Sequence, residues 1–256
     1  MTSNVESQVP ALHVSGLGFH AGGVQILADI DLDVAKGTFV GIIGPNGAGK
    51  TTFLNLLSGL LTPSAGSIEL EGRALAGVAP SQRSRFGVGR TFQTSSIFGA
   101  LSVFENARLS AQARIGGSAK FWRRPRPLDE SSVAARDALT MVGLAEMADR
   151  TSGALSHGDK RKLELAILVA AEARILLLDE PMAGVNSEDI PMLTDLIGRL
   201  HGEGRTVLMV EHHMAVVVGL ADAIAVFDSG RLLAMGDPQT VIANAEVQSA
   251  YLGQPL

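Results

Sequence analysis

The chain has 256 residues, a formal net charge of −5, 46% hydrophobic and 4% aromatic residues, and no cysteine. That length can bury a sizeable core in one large or two small domains, and with so few aromatics Leu, Val, Ile and Ala must fill it. The acidic balance argues against a general nucleic-acid binder, and the missing thiols exclude disulfides and thiolate metal sites.

Residues 1–10 have neither a basic segment nor an apolar core, so no secretory signal is expected there. Residues 12–14, 25–34 and 67–70 read as short, partly alternating strands punctuated by Gly66 and Gly72, enough for a small antiparallel sheet. Residues 39–43 are continuously apolar and predict a buried strand, with a helix starting near Lys50 and running through Leu57. After Gln93 the character changes. Residues 103–113 and 131–142 look helical, separated by Gly116-Gly117 and Arg123-Arg124-Pro125-Arg126-Pro127, which predicts an inserted helical subdomain. Arg114, Lys120, Phe121, Trp122, Arg123, Arg124 and Arg126 fit a solvated loop better than a surface for a permease or anionic lipid.

From Lys160 onward helix and strand alternate. A helix to about residue 171 precedes a strand at 175–178, a helix at 188–201, a strand at 206–210, a helix at 214–220 and a strand at 223–227. Such alternation predicts a mainly parallel sheet. Asp237 as N-cap and Pro238 at the first helical position open a last helix. The apolar stretch 214–227 is too short to span a bilayer and contains Asp222, and the stretch 163–178 is cut by Glu164, Glu172 and Arg174. No internal repeat is found.

Between the strand at 39–43 and the helix at Lys50 lies Gly44-Pro45-Asn46-Gly47-Ala48-Gly49-Lys50-Thr51, followed by Thr52. It fits G-x-x-x-x-G-K-[ST] in the strand–loop–helix setting the pattern requires. Glycines let successive N–H groups turn inward onto phosphate oxygens, Lys50 adds positive charge, and the helix aims its positive end at the anion. Thr51 supplies a hydroxyl suited to Mg²⁺. The apolar residues 175–178 end in Asp179-Glu180, at the edge where α/β sheets present ligands. Asp179 is placed to hold a metal directly or through water, and Glu180 to polarise a water toward a γ-phosphate. The expected fold is α/β, a P-loop NTPase core with a mainly parallel sheet, a small antiparallel β subdomain and the inserted helices.

With Gln93, then Leu155-Ser156-His157-Gly158-Asp159, then His212 in that order, the chain resembles the ATP-binding subunit of an ABC (ATP-binding cassette) transporter over nearly its whole length. The resemblance makes residues 155–159 the signature motif, Gln93 the glutamine loop and His212 the switch histidine. It implies a nucleotide-binding core of residues 1–92 and 165–256 and a helical subdomain of residues 93–164. It further implies ATP and Mg²⁺ as ligands, Thr51, Gln93 and Asp179 around the metal, and catalysis by Glu180, His212 and Gln93. Two subunits, identical or homologous, would face head to tail with each ATP between the phosphate loop of one and the signature of the other. Ala183-Gly184-Val185-Asn186 resembles the dimer-facing loop, with Asn186 where many relatives carry Asp. Permease subunits, an indirect substrate-binding protein outside the membrane and a peripheral place on its cytoplasmic face follow from the same resemblance.

Within the family the likeness is to subunits serving importers of branched-chain amino acids and related amides or urea. It rests on Arg90-Thr91-Phe92-Gln93, on Phe98 with Ser102-Val103-Phe104-Glu105-Asn106, on Glu211-His212-His213-Met214, and on Tyr251-Leu252-Gly253. Three positions depart from the pattern. Ala21 stands where relatives place an aromatic that stacks on adenine, with Phe19 and His20 close by as substitutes. Asp159 replaces Gln, with Lys160, Arg161 and Lys162 near enough to offset its charge, and His157 replaces a glycine. Other readings are a soluble ABC ATPase, the ATPase of another ABC transporter such as a lipopolysaccharide exporter, or a GTP switch. No guanine-reading Asn-Lys-x-Asp element supports the last.

Overall fold

A computed structural model describes residues 9–91, 97–115 and 129–250. Gln93, residues 120–127 and Tyr251-Leu252-Gly253 lie outside the described residues.

The chain opens with a hairpin of β1 (Leu12–Ala21) and β2 (Val24–Val34). β1 runs well past residue 14. Gly16 and Gly18 interrupt its alternation, and the pairing register shifts between Val14 and Leu17, Leu17 and Phe19, and Phe19 and His20, which hid its second half from a periodicity reading. Then follow β3 (Phe39–Ile43), α1 (Lys50–Ser58), β4 (Ala65–Leu70) and β5 (Arg73–Ala74). A short α2 (Pro80–Arg85) and β6 (Val88–Arg90) had no sequence signal beyond Pro80 at the helix start.

The helical part comprises α3 (Val103–Ile115), α4 (Glu130–Met141) and α5 (His157–Ala170). The last of these starts at His157 rather than near Lys160. Ser156 caps it: the Ser156 hydroxyl accepts from Asp159 N at 3.1 Å, so His157, Gly158 and Asp159 are themselves in the first turn. The remainder is β7 (Ile175–Asp179), α6 (Ile190–Gly202), β8 (Thr206–Val210), α7 (Met214–Leu220), β9 (Ala223–Asp228), β10 (Arg231–Gly236), α8 (Pro238–Ile242) and α9 (Ala245–Ala250). Asp237 caps α8 by accepting from Gln239 N and Thr240 N.

Among the described residues the strands form two sheets. An antiparallel sheet has the order β2-β1-β4-β5, and a six-stranded sheet has the order β10-β9-β3-β8-β7-β6. In the second, β9, β3, β8, β7 and β6 run parallel and only β10 is antiparallel. Its central strands are apolar on both faces because each face covers a different core. Phe39, Ile43, Leu176, Leu178, Val207, Met209, Ile224 and Val226 face the core they share with α3 to α7. Val40, Ile42, Ile175, Leu177, Leu208, Val210, Ala225 and Phe227 alternate with them into the core shared with α1 and the antiparallel sheet. Burying each such large side chain contributes about 1.5–3 kcal/mol, which fixes the register of β3, β8 and β7 and so places whatever follows their ends.

Candidate functional site

Because β3, β8 and β7 are parallel neighbours, the segments leaving their carboxyl ends converge. β3 leads into residues 44–51, β7 into Asp179-Glu180, and β8 into Glu211-His212.

Gly44 leaves β3 at φ 152°, with no room for a side chain: a Cβ there would lie 2.1 Å from the Phe227 carbonyl oxygen. Gly47 and Gly49 follow at φ 82° and 98°, so the loop curls back on itself and Gly49 becomes the N-cap of α1. Lys50 is 6% exposed, and its Nζ donates to the carbonyls of Gly44 at 2.6 Å and Pro45 at 2.9 Å. Burial pulls this ammonium below the ordinary lysine range, while Glu180 and Asp179 act against that shift. Ala48 is buried under the loop, Asn46 and Gly47 are exposed, and Thr51 and Thr52 are half-buried on the first turn of α1.

Thr51 Oγ1 donates to Asp179 Oδ1 at 3.3 Å. The other carboxylate oxygen, Asp179 Oδ2, takes a 3.1 Å bond from Arg90 Nη2, and Arg90 Nη1 bonds Ser58 Oγ at 2.9 Å. Asp179 N is held by Thr91 Oγ1 at 3.3 Å. Burial pushes the Asp179 carboxyl above its usual value, and the Arg90 guanidinium is the main influence bringing it back. A hydroxyl and a carboxylate oxygen this close are a hard-oxygen pair of the kind Mg²⁺ takes, so the residues present fit that ion.

Glu180 sits at φ 49°, an uncommon conformation for a side chain with a Cβ and one that costs about 1–3 kcal/mol. The turn lifts its carboxylate out of the sheet edge toward His212, whose Nε2 is 3.1 Å from Glu180 Oε1. Both side chains retain contact with solvent, as groups handling water must.

Residues 155–159 stand on the helical side. Leu155 is buried in that core, and Gly158 packs so tightly against Asp189 that a Cβ would approach its carboxylate oxygen to 3.0 Å. Ser156 Oγ donates to Asp159 Oδ2 at 2.8 Å, and Lys162 Nζ reaches Asp159 Oδ1 at 3.1 Å. Lys162 therefore offsets the Asp159 charge. Arg161 instead pairs with Glu164 and donates to Ala183 O at 3.2 Å, tying the signature helix to the turn after Glu180. Ala21 is exposed at the tip of the first hairpin, Phe19 packs on the core, and the His20 backbone is held by Ser64 Oγ.

Sequence reasoning gave no role to Arg90, Thr91 or Glu211. The signal for Glu211 was present: like Asp179, which follows four buried residues of β7, it is a carboxylate at the end of a run of buried strand residues, the five of β8.

A glycine loop leading from the end of β3 to buried Lys50 at the start of α1, with an acidic strand end two strands away, defines the class as a P-loop NTPase. Residues 27–183 match the family described as ABC transporter, and the chain belongs to that family. It is 38% identical over 251 residues to the high-affinity branched-chain amino acid transport ATP-binding protein LivG of Salmonella typhimurium, covering 96% of this chain and 98% of that one. The corresponding BraF of Pseudomonas aeruginosa is also 38% identical with the same coverage. Among solved structures, a nucleotide-free ATP-binding cassette from an ABC transporter superposes with TM-score 0.84 at 25% identity, over 96% of this chain and all 100% of that one. The ADP conformation of MJ1267, an ATP-binding cassette of an ABC transporter, gives 0.84 at 26% identity, over 96% and 99%.

Proposed function

We propose that this ATPase powers the import of branched-chain amino acids, or of related amides or urea, as a peripheral subunit on the cytoplasmic face of a membrane. The observation that carries hydrolysis is the 3.1 Å approach of His212 Nε2 to Glu180 Oε1 at the ends of neighbouring parallel strands, one residue beyond the Asp179–Thr51 pair. Support for the cargo is the near-full-length likeness to the two branched-chain amino acid subunits.

In this reading the N–H groups of residues 46–52 cradle the ATP phosphates, and Lys50 exchanges the Gly44 and Pro45 carbonyls for phosphate oxygens. Thr51 and Asp179 would hold Mg²⁺, which would supply positive charge against the phosphates. Glu180 takes the proton of the attacking water, and His212 orients that water and the γ-phosphate. On the family resemblance Gln93 would couple the nucleotide to residues 93–164, acting as a helical subdomain. Ser156 and the first turn of α5 face the nucleotide of a second ATP-binding subunit, so ATP holds the pair together and hydrolysis releases it. Permease subunits couple this cycle to a substrate-binding protein outside the membrane.

The test is reconstitution. The chain is combined with the permease and binding-protein products of neighbouring genes in liposomes, and ATP-dependent uptake of labelled leucine and urea is followed. Uptake with wild type and none with Glu180→Gln supports the proposal. ATPase activity that no amino acid or amide stimulates would overturn the cargo while leaving the ATPase standing.

A further inference from the structure

Glu211 is 3% exposed, and among the described residues its carboxylate has no arginine or lysine as a hydrogen-bond donor. A buried charge costs several kcal/mol unless it is closely compensated. Here the compensation comes from N–H groups. Oε1 accepts from Met182 N at 2.9 Å, while Oε2 accepts from His212 N at 2.6 Å and His213 N at 3.2 Å and lies 3.2 Å from His213 Nδ1. These donors belong to two different segments. Met182 lies two residues past Glu180 on the chain leaving β7, and His212 and His213 lie on the chain leaving β8.

The β7–β8 ladder ends at Asp179 opposite Val210, and Glu180 N to Val210 O at 2.9 Å is its last backbone link. Past that point Glu180 turns away at positive φ, and backbone pairing no longer relates the two chains. The Glu211 side chain continues the connection, with one oxygen on each segment. The contact between Glu180 and His212 is made just beyond this bridge.

We propose that Glu211 is a positioning residue for hydrolysis, whose carboxylate clips the His212 backbone to the turn after Glu180 and thereby sets the distance between the two side chains that handle the water. The inference rests on the roles given above to Glu180 and His212. Only a carboxylate of this length serves, since an amide would turn an NH₂ toward an N–H donor and aspartate would fall one methylene short. Displacing a reacting group by about 1 Å costs on the order of 100-fold in rate.

The experiment compares kcat, KM and ATP dissociation constants for wild type, Glu211→Gln, His212→Ala and the double variant. Glu211→Gln is expected to lower kcat by roughly 10- to 100-fold with ATP affinity kept within about twofold, and to add less than about twofold in the His212→Ala background because both act through one group. A kcat near wild type, an equal loss of ATP affinity, or a full additional loss in the double variant would overturn the proposal. If His212→Ala alone leaves kcat unchanged, the role of His212 has failed instead, and the proposal resting on it falls for that separate, visible reason. Amide hydrogen exchange of the wild type supplies a measurement free of folding defects. The Met182 and His212 amides are expected to be protected together although both lie in turns, and rapid exchange at either contradicts the clip.

Discussion

Arg90 Nη2 meets Asp179 Oδ2 at 3.1 Å, with both side chains almost completely buried. The guanidinium occupies one carboxylate oxygen and leaves the other turned to Thr51. A pair like this adds little net stability, but removing one partner leaves a bare charge in the core. Arg90→Met is therefore expected to destabilise the protein by about 3–5 kcal/mol, and Arg90→Met combined with Asp179→Asn to recover most of that. Urea denaturation of wild type and the two variants measures it. Equal midpoints for Arg90→Met and wild type would show that the pair has no structural role.

Gly44→Ala tests the closest approach in the phosphate loop. The new Cβ would stand 2.1 Å from Phe227 O, a backbone atom that cannot swing aside, and the residue would keep φ near 152°. The end of β9 must move away from β3, which breaks the support beneath residues 44–49. The expected result is a loss of roughly 1–3 kcal/mol in stability and at least about tenfold weaker ATP binding. Fluorescent-nucleotide titration beside thermal unfolding reads both, and Ala at 44 binding ATP normally would contradict the steric argument.

Residues 39–43 and 206–210 could be read from sequence because strands buried on both faces are unbroken apolar runs, and the glycine loop because its spacing has few other uses. Asp179 and Glu180 followed from their place at a strand end. Arg90 did not: its meaning lies in a partner 89 residues away, which no local pattern reports. Glu211 was hidden in a different way, since His212 beside it drew the functional reading while its own carboxylate points inward. β10 escaped because its half-exposed residues lack alternation, and the start of α5 because its capping serine is also a signature residue.

Lys50 carries a pH dependence of known sign. Burial lowers its pKa from the ordinary 10.5 in the free protein, whereas bound phosphates favour the protonated ammonium. Below the free-state pKa the group is already charged and its contribution to ATP affinity is constant. Above it, and below the pKa in the complex, binding requires proton uptake, so affinity falls by up to about tenfold per pH unit. The fall begins at a lower pH than an unperturbed lysine would give. ATP titrations without Mg²⁺, carried up to the ordinary lysine value of 10.5, should show it in wild type and not in Lys50→Arg, whose guanidinium stays charged. A flat wild-type profile would be the contrary result.

Glu180→Gln separates binding from turnover. The amide keeps the size of the side chain and leaves Lys50, Thr51 and Asp179 untouched, but it cannot accept the proton of a water. Hydrolysis should fall by roughly 100-fold or more while ATP is still bound, so that ATP-bridged dimers accumulate. Size-exclusion chromatography with ATP and with ADP reads the outcome, and monomer alone with ATP would count against the head-to-tail arrangement.

The first hairpin, where the proposed function would seat adenine, offers a base little to hold. Ala21 ends β1 opposite Val24 with an exposed methyl group, Phe19 is partly buried against the core, and His20 is exposed on a strand whose backbone is fastened to Ser64. A methyl group has no π-face to offer a purine, so the phosphates supply most of the affinity and the base is weakly read. ATP and GTP should therefore bind within a few-fold of each other. Ala21→Tyr should strengthen ATP binding by about 1 kcal/mol, roughly fivefold, because base–aromatic stacking contributes at least that much per base. Competition between the two nucleotides for wild type and variant decides it. A strong wild-type preference for ATP, unchanged by the tyrosine, would mean that Phe19 or His20 leaves its observed position to grip the base.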